Sequence, residues 1–573
     1  MSDKSEFVTR FAAGLVLFLL ALAFRALGAD YGYFHGDERI NDAARVLAGE
    51  IVPGQHFYPP LINYLNGLAF GGLFALGVPS GWWDGPGAFR AQYFSDPTVF
   101  YLTARYVTAL IGALIAPLFL AIARRAGLGL WPGVAVGCLG VVFPLGVFMS
   151  HIAKGDVALA TATIAVFWAL IARLEAGRPG RWDIWLGVFA VLVVSFKQSG
   201  VFVLLPLAVG MAGLLLWAEG LRAMARSMGR ALLTVGLLWP LLNIGILLDF
   251  GNFLAYQKIQ TVMSLRTDAG LAAGLETLGW RSLQLVWGLN PVFAALALLT
   301  PFVLVMPACR LRHKPVLLLI WTTLVVGTLV LAALTGPRQP EHLWIASFAG
   351  FTLLGGLALA GLARSAEASG RLRRVAQGTF ALGGGLSLVG AVIAVTEALA
   401  PPMWREVDAY IATHLAEARI LTGVVTHLPQ TRAAQELEIA RWQRLAEKYD
   451  TPLPEIAEER RIREDAPDAV FHIGMPTGLY GLEGVDEDDP DYEAQPYAWP
   501  PQRADWQLDA WRAQGVDVFV VKAPEFMRRE VGSPLMRAFF TELHDRCAVL
   551  AEFDPNKPLY LEREVTIYRC GER

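Results

Sequence analysis

The chain has 573 residues, of which 55% are hydrophobic and only 17% charged, with a formal net charge of −3 and a mean hydropathy of +0.44. This composition excludes an ordinary soluble globular protein and offers no positive surplus for a nucleic-acid partner. The charge divides unevenly: residues 1–400 hold 28 Lys and Arg against 19 Asp and Glu, a balance of +9, and residues 401–573 hold 20 against 32, a balance of −12. The first stretch reads as a membrane domain and the second as a soluble domain of ordinary size. Four cysteines are too few for a disulfide scaffold. Cys547 and Cys570 share the soluble part, where they are either a pair in an oxidising compartment or two separate buried thiols.

A spanning helix needs about 20 mostly apolar residues. In chain order the candidate spans are Phe11–Leu27, Thr98–Ile122, Leu128–Phe148, Val157–Ala172, Ile184–Phe196, Gly200–Trp217, Ala231–Leu248, Val292–Met306, Val316–Leu334, Leu343–Leu362 and Val375–Ala398. The predicted fold class is an α-helical polytopic membrane protein with about eleven transmembrane helices, followed by a soluble α/β domain over 401–573. Read as a cleavable leader, the first run would end at Ala26-Leu27-Gly28, but Arg25 interrupts it and later spans anchor the chain anyway.

Every second junction is basic: Lys4/Arg10, Arg124/Arg125, Arg173/Arg178/Arg181, Arg222/Arg226/Arg230, Arg310/Arg312/Lys314, and Arg364 with Arg371, Arg373 and Arg374. Positive loops stay cytoplasmic, so the N-terminus is expected inside and the C-terminal domain outside, as in a bacterial inner membrane. The absence of any Asn-x-Ser/Thr sequon fits that compartment better than an endoplasmic-reticulum membrane.

The outer stretch 29–97 is too long for a plain turn. Ile40, Ala43, Ala44 and Leu47 recur at helical spacing within it, as do Leu61, Tyr64, Leu65 and Leu68, which predicts two amphipathic helices at the membrane surface. A second long outer stretch runs from Asp249 to about Asn290. In the tail, Glu406–Leu415 reads as a helix, and Ile420–Val425, Val470–Ile473, Val516–Val521 and Val565–Tyr568 read as strands. The run Asp486-Glu487-Asp488-Asp489 lacks the Gly and distal Glu of a calcium loop and reads as a solvated loop.

Chemistry-bearing residues concentrate on the outer side. His35-Gly36-Asp37-Glu38-Arg39 places two adjacent carboxylates just past the first span, and His56-Phe57-Tyr58-Pro59-Pro60-Leu61 follows. Ala104-Arg105-Tyr106, His151-Ile152-Ala153-Lys154-Gly155-Asp156, Ser195-Phe196-Lys197-Gln198-Ser199-Gly200 and Gly336-Pro337-Arg338 lie at later span ends. Taken singly, each has a plain reading. Asp37 or Asp156 caps a helix, Lys197 snorkels, and Arg338 anchors at the interface.

In this order and on this side, the motifs resemble the GT-C glycosyltransferases, in the branch of protein O-mannosyltransferases and aminoarabinose transferases. The likeness covers roughly residues 1–400. Tyr58-Pro59-Pro60 stands where the mannosyltransferases have His-Pro-Pro, and their β-trefoil insertion is missing. The resemblance implies transfer of a sugar from a polyprenyl-phosphate donor to a glycan, lipid or protein acceptor on the periplasmic face, by inverting displacement. It implies Asp37 as catalytic base with Glu38 behind it, and Asp156 orienting the acceptor or holding a cation. Lys197, Arg338 and Arg105 would meet the lipid phosphate, with Tyr58, His56, His151 and Lys154 lining the substrate site. No metal ligand set is assigned, although three outer histidines near acids could hold a divalent cation. Trp82-Trp83-Asp84 reads as interfacial tryptophans rather than a sugar-transfer motif. The rival readings are a multi-pass transporter, against which stands the lack of an internal repeat, and a non-catalytic membrane protein with an outer binding domain.

Overall fold

The computed structural model describes residues 3–52, 54, 56–265, 269–284, 288–423, 471–474, 486, 488–492, 503–530, 533–560 and 562–571. The chain forms two units, one of Met1–Asp30 with Phe34–Leu399 and one of Tyr31–Tyr33 with Ala400–Arg573.

The described part of the first unit is built of helices. Among the described residues, seven stretches are long and apolar enough to cross a membrane: Glu6–Ala26, Thr98–Arg125, Asp156–Ala176, Gln198–Glu219, Lys314–Thr335, Glu341–Ala363 and Gly370–His414. Helix Gly370–Leu399 supplies the first unit's share of the last. An eighth is the bent pair Leu130–Val141 and Pro144–Ser150, which meet at 49°. Three of the expected spans fall short of this measure. Helices Arg181–Phe196 and Pro291–Val305 have only 16 and 15 residues. Helix Leu221–Leu242 opens on Arg222, Arg226 and Arg230, and Asn243 breaks it from Ile244–Leu248. Among the described residues, seven or eight stretches thus meet the length and apolarity of a span, against about eleven apolar runs in the sequence. The chain is a multi-pass membrane protein.

The bend has a chemical cause. Pro144 has no N–H to give the Gly140 carbonyl four residues back. The fully buried Arg25 supplies donors instead, to Gly140 O at 2.9 Å and Val141 O at 3.0 Å. The residue that interrupts the first apolar run thus satisfies the carbonyl that the proline leaves open and the one beside it. The short arm Pro144–Ser150 then aims the loop that holds Lys154.

The two ends of the helical unit differ. Helix Asp156–Ala176 starts on an acid and carries Arg173 in its last turn. Its 21 residues separate those ends by roughly 31 Å at 1.5 Å per residue. At the Arg173 end the basic junctions meet one another. Arg125 bonds Glu175, His313 Nε2 lies 3.3 Å from the same carboxylate, and Arg312 N donates to Ala126 O at 2.9 Å.

The helical spacings read in 29–97 fall in helices Ile40–Leu47 and Leu61–Gly77. The second is a turn or more longer than its pattern suggests, and a third helix, Pro86–Ser95, follows. Trp83 packs edge-on against Phe89 at 4.9 Å, so this tryptophan serves the packing of that loop. Helices Phe250–Ser264 and Gly270–Leu283 occupy the second long stretch.

The second unit is a five-stranded sheet of β1 (Arg419–Thr422), β2 (Phe471–Gly474), β3 (Val518–Lys522), β4 (Ala548–Phe553) and β5 (Val565–Arg569), in the order β2-β1-β3-β5-β4. β1 runs parallel to β2 and β3, while β5 runs antiparallel to β3 and β4. Side chains alternate across a strand, and β3 shows the result. Val518 and Val520 join Ile420, Val407 and Ile411 on one face, under helix Trp404–His414. Phe519 and Val521 join Trp506, Trp511, Phe539 and Phe540 on the other, under helix Pro534–Arg546. Helices on both faces of a mixed sheet make an α/β layered domain. The segment Tyr31–Tyr33 belongs to this unit: Trp404 Nε1 donates to Gly32 O at 2.9 Å, and Tyr33 bonds Glu562. β4 has no counterpart among the expected strands. Of the acidic run, Asp486, Asp488 and Asp489 form a turn in which Asp488 N donates to Asp486 Oδ1 at 3.0 Å; Glu487 lies outside the described residues, as do Val470, Val424 and Val425.

Cys547 and Cys570 are joined by a disulfide, which closes the question left open by the sequence. They flank the paired strands β4 and β5, where Ala548 lies opposite Arg569. Crosslinking residues 23 positions apart stabilises by about 3 kcal/mol, chiefly through the unfolded chain. The double variant Cys547→Ser/Cys570→Ser is expected to unfold at a clearly lower Tm in a calorimetric scan of the whole protein. An unchanged Tm would deny the crosslink its stabilising role.

Candidate active site

Four loops meet at the Asp156 end of the helical unit. They are 35–39, 56–60, 151–156 and the turn at Lys197, joined by the residues that open the span Glu341–Ala363. Glu38 ties the first to the third. Its carboxylate takes Arg105 Nε on Oε1 and Arg105 Nη2 on Oε2, both at 2.7 Å. Ala153 N adds a bond at 2.8 Å and His35 N another at 2.9 Å. Arg105 turns its remaining arm to Ala29 O at 2.8 Å. Both side chains are essentially inaccessible to solvent, at 0% and 2% exposed. Glu38 and Arg105 are therefore bound to each other through two parallel hydrogen bonds.

The neighbouring acid has a different setting. Asp37 is half-buried, with its side chain 38% exposed, and its Oδ2 accepts from Lys154 Nζ at 2.7 Å. Its backbone N–H donates to His35 Nδ1 at 3.1 Å. Burial alone would raise the Asp37 carboxyl, but the Lys154 ammonium beside it holds it below the ordinary carboxylate value. Lys154 is 3% exposed. Burial works against its charge, yet Asp156, Tyr58 and Asp37 together hold its ammonium above the usual lysine value. Burial, with Lys154 nearby, keeps the His35 imidazole below its ordinary value, so it is neutral.

A second ion pair adjoins the first. Asp156, fully buried, bonds Lys197 and lies 3.8 Å from Lys154. Its carboxylate turns to Lys197 and makes no side-chain cap on its own helix, which sets aside the plain capping reading. Lys197 is buried and does not snorkel; burial outweighs Asp156 and lowers its ammonium below the ordinary value. The two segments approach closely because residue 155 is glycine. A Cβ there would sit 2.4 Å from the Phe196 carbonyl oxygen, closer than two such atoms can come. Tyr58 covers both lysines, with each Nζ 5.7 Å from its ring centre, within cation–π range. Burial pushes the Tyr58 phenol well above its ordinary value, so it remains protonated.

Three of the other expected residues stand apart. His56 Nε2 bonds Asp249 Oδ2 at 2.7 Å, with Phe253 and Tyr256 edge-on around the ring. His151 is wholly buried, and burial lowers its imidazole to about 3. Arg338 is exposed on the loop that returns to His342. Among the described residues no group of three His, Cys, Asp or Glu is placed to hold a metal ion. Sequence reasoning missed His342, whose Nδ1 lies 3.4 Å from Lys154 Nζ. Its only signal is its position, two residues after Pro340 and at the start of a span.

Fold and site together define a multi-pass helical membrane protein with two adjoining carboxylate–ammonium pairs at one end of its helical unit. No family model and no curated protein matches the chain. Among solved structures, it is similar to ArnT from Cupriavidus metallidurans bound to undecaprenyl phosphate, at 14% identity and TM-score 0.47, with all of both chains covered. It is also similar to the oligosaccharyltransferase from Archaeoglobus fulgidus in complex with zinc and sulfate, at 12% identity and TM-score 0.44, over 90% of this chain and 68% of that one. The archaeal oligosaccharyltransferase AglB from the same organism, in complex with an inhibitory peptide and a dolichol-phosphate, matches at 10% identity and TM-score 0.42, over 92% and 70%. These likenesses are distant, and the functional reading rests on the residues themselves.

Proposed function

We propose that this protein is a membrane glycosyltransferase that moves a sugar from a polyprenyl-phosphate donor to an acceptor hydroxyl by inverting displacement. The observation that carries the reading is the contact of Asp37 with Lys154, 2.7 Å apart, beside the Asp156–Lys197 pair. Displacement at an anomeric carbon needs a base for the acceptor proton on one side. On the other side it needs fixed positive charge where the phosphate leaves. A half-exposed carboxylate next to two buried ammonium groups has both parts.

In this reading Asp37 accepts the proton, and Lys154 and Lys197 hold the phosphate. Asp156 orients Lys197 from behind. Tyr58 walls the site and keeps water from the lysines. Glu38 and Arg105 act as a rigid mount for both loops, and His342 fixes Lys154 from below. Basic residues at the far end, the site's place at the helix ends and the disulfide in the second unit all support a site on the extracytoplasmic face of an inner membrane. Charge at helix ends also speaks against a transporter, whose ionisable groups tend toward the bilayer midplane.

The test is direct. Purified protein in lipid vesicles receives polyprenyl-phosphate donors carrying different labelled sugars, with a crude envelope fraction as acceptor. Sugar should leave one of these lipids and appear on acceptor. Movement of lipid or solute across the bilayer without bond cleavage would favour the transporter.

A further inference from the structure

Lys154 has three N–H donors and no acceptor. In the structure they face Asp37 at 2.7 Å, His342 at 3.4 Å and Asp156 at 3.8 Å. Tyr58 covers part of what remains. The ammonium is thus fully committed to the protein, and an incoming phosphate must displace one partner. Asp156 is 1% exposed and is held by Lys197. His342 is partly exposed but carries no charge to trade with a phosphate, and it is fixed at the start of a span whose apolar window is wholly buried. Of the two carboxylates, only Asp37 is accessible, at 38%, and it sits on a loop rather than a helix. The charges also balance without a ligand, since two carboxylates face two ammonium groups.

We infer that the donor's phosphate takes the place of Asp37 on Lys154, and that this exchange releases the Asp37 carboxylate to act as base, so that the base becomes available only when the donor is seated. The inference rests on the glycosyltransferase reading. The exchange breaks one ion pair and forms another, with no net change in the number of pairs. The released carboxylate then takes the hydroxyl proton as the acceptor oxygen bonds to the anomeric carbon. The bond from that carbon to the phosphate oxygen breaks at the same time, and its electron pair stays on the phosphate, still held by the lysines. A protein with no donor bound thus keeps its base masked by the cation that the donor needs. Binding is ordered, donor before acceptor.

In the exchange, Asp37 competes with the donor for Lys154, so removing its charge should strengthen lipid binding even as it destroys transfer. Undecaprenyl phosphate binding to the full-length protein in detergent, measured by titration calorimetry, tests this. Asp37→Asn is expected to bind roughly tenfold more tightly than wild type, the scale of removing one like charge at several ångström from a half-exposed site. Asp37→Glu, which keeps the charge, should bind like wild type. Equal or weaker binding by Asp37→Asn, with wild type binding normally, overturns the exchange while leaving the proposed function standing. Tighter binding by both variants also overturns it, because the gain would then follow shape rather than charge. Failure of the wild-type protein to bind the lipid overturns the proposed function, and the exchange falls with it.

Discussion

Asp37→Asn is expected to slow sugar transfer by about 10²–10⁴-fold, the usual contribution of one positioned proton acceptor. That corresponds to about 3–5 kcal/mol of barrier. The amide keeps the shape of the carboxylate and can still accept a hydrogen bond from Lys154, so the fold and the lysine positions should persist. The loss should fall on kcat, because the residue takes its proton only as the new bond forms. Transfer at the wild-type rate would remove Asp37 from the chemistry. The pH dependence provides a second measurement. In the empty site Lys154 outweighs burial and holds the Asp37 carboxyl below its ordinary value. A depressed carboxylate contributes its full stabilisation above the unfolded value of about 3.9 and loses it only as pH falls through the folded one. The kcat/KM profile, which reports the free enzyme, should therefore show no acid limb from Asp37 at neutral or mildly acid pH. With donor bound, Asp37 has lost its cation and gained a phosphate neighbour. The kcat profile should then fall off at a higher pH than kcat/KM.

The large divisions of this chain were legible before any coordinates because they rest on bulk quantities. Apolar run length selects the helices, and the sign and density of charge set Ala400 onward apart from what precedes it. The strands β1, β3 and β5 announce themselves by runs such as Val518-Phe519-Val520-Val521, which are buried on both faces. β4 escaped because Ala548-Val549-Leu550-Ala551-Glu552-Phe553 has no fully buried residue, lies at the sheet edge and closely follows a helix, so neither alternation nor a turn marks it. An apolar run of 15 or 16 residues reads the same whether it crosses a bilayer or not, so the sequence offers more candidate spans than the length criterion does.

The site was legible as a set of residues but not as a set of pairs. Asp37, Lys154, Asp156 and Lys197 each stand out at a span end. That Lys154 would choose Asp37, 117 positions away, and Lys197 would choose Asp156, 41 away, depends on how the loops meet. Arg105 and Glu38 are the sharpest case. From the sequence, an Arg at a span start reads as a phosphate ligand. Its bidentate union with Glu38, 67 positions away, is not legible in the sequence.

That union carries the second large prediction. Glu38 accepts four hydrogen bonds within 2.9 Å, two from Arg105 and one each from Ala153 N and His35 N. Removing either charged partner strands the other in a site with almost no solvent access. Breaking a buried pair in this way costs about 3–5 kcal/mol. Glu38→Gln and Arg105→Met should each depress the Tm strongly when unfolding is followed in detergent. The double variant Glu38→Gln/Arg105→Met should lose little more than the worse single change, since the second substitution removes the stranded charge. Simple additivity would show that the two residues act separately. Activity should follow a different course. Glu38 holds the backbone of residue 35 and of residue 153, immediately beside Asp37 and Lys154. The double variant, even where it folds at low temperature, should therefore transfer sugar poorly, because the base and the phosphate-binding lysine lose their common mount. A double variant with wild-type kcat would mean that Asp37 and Lys154 find their places without it.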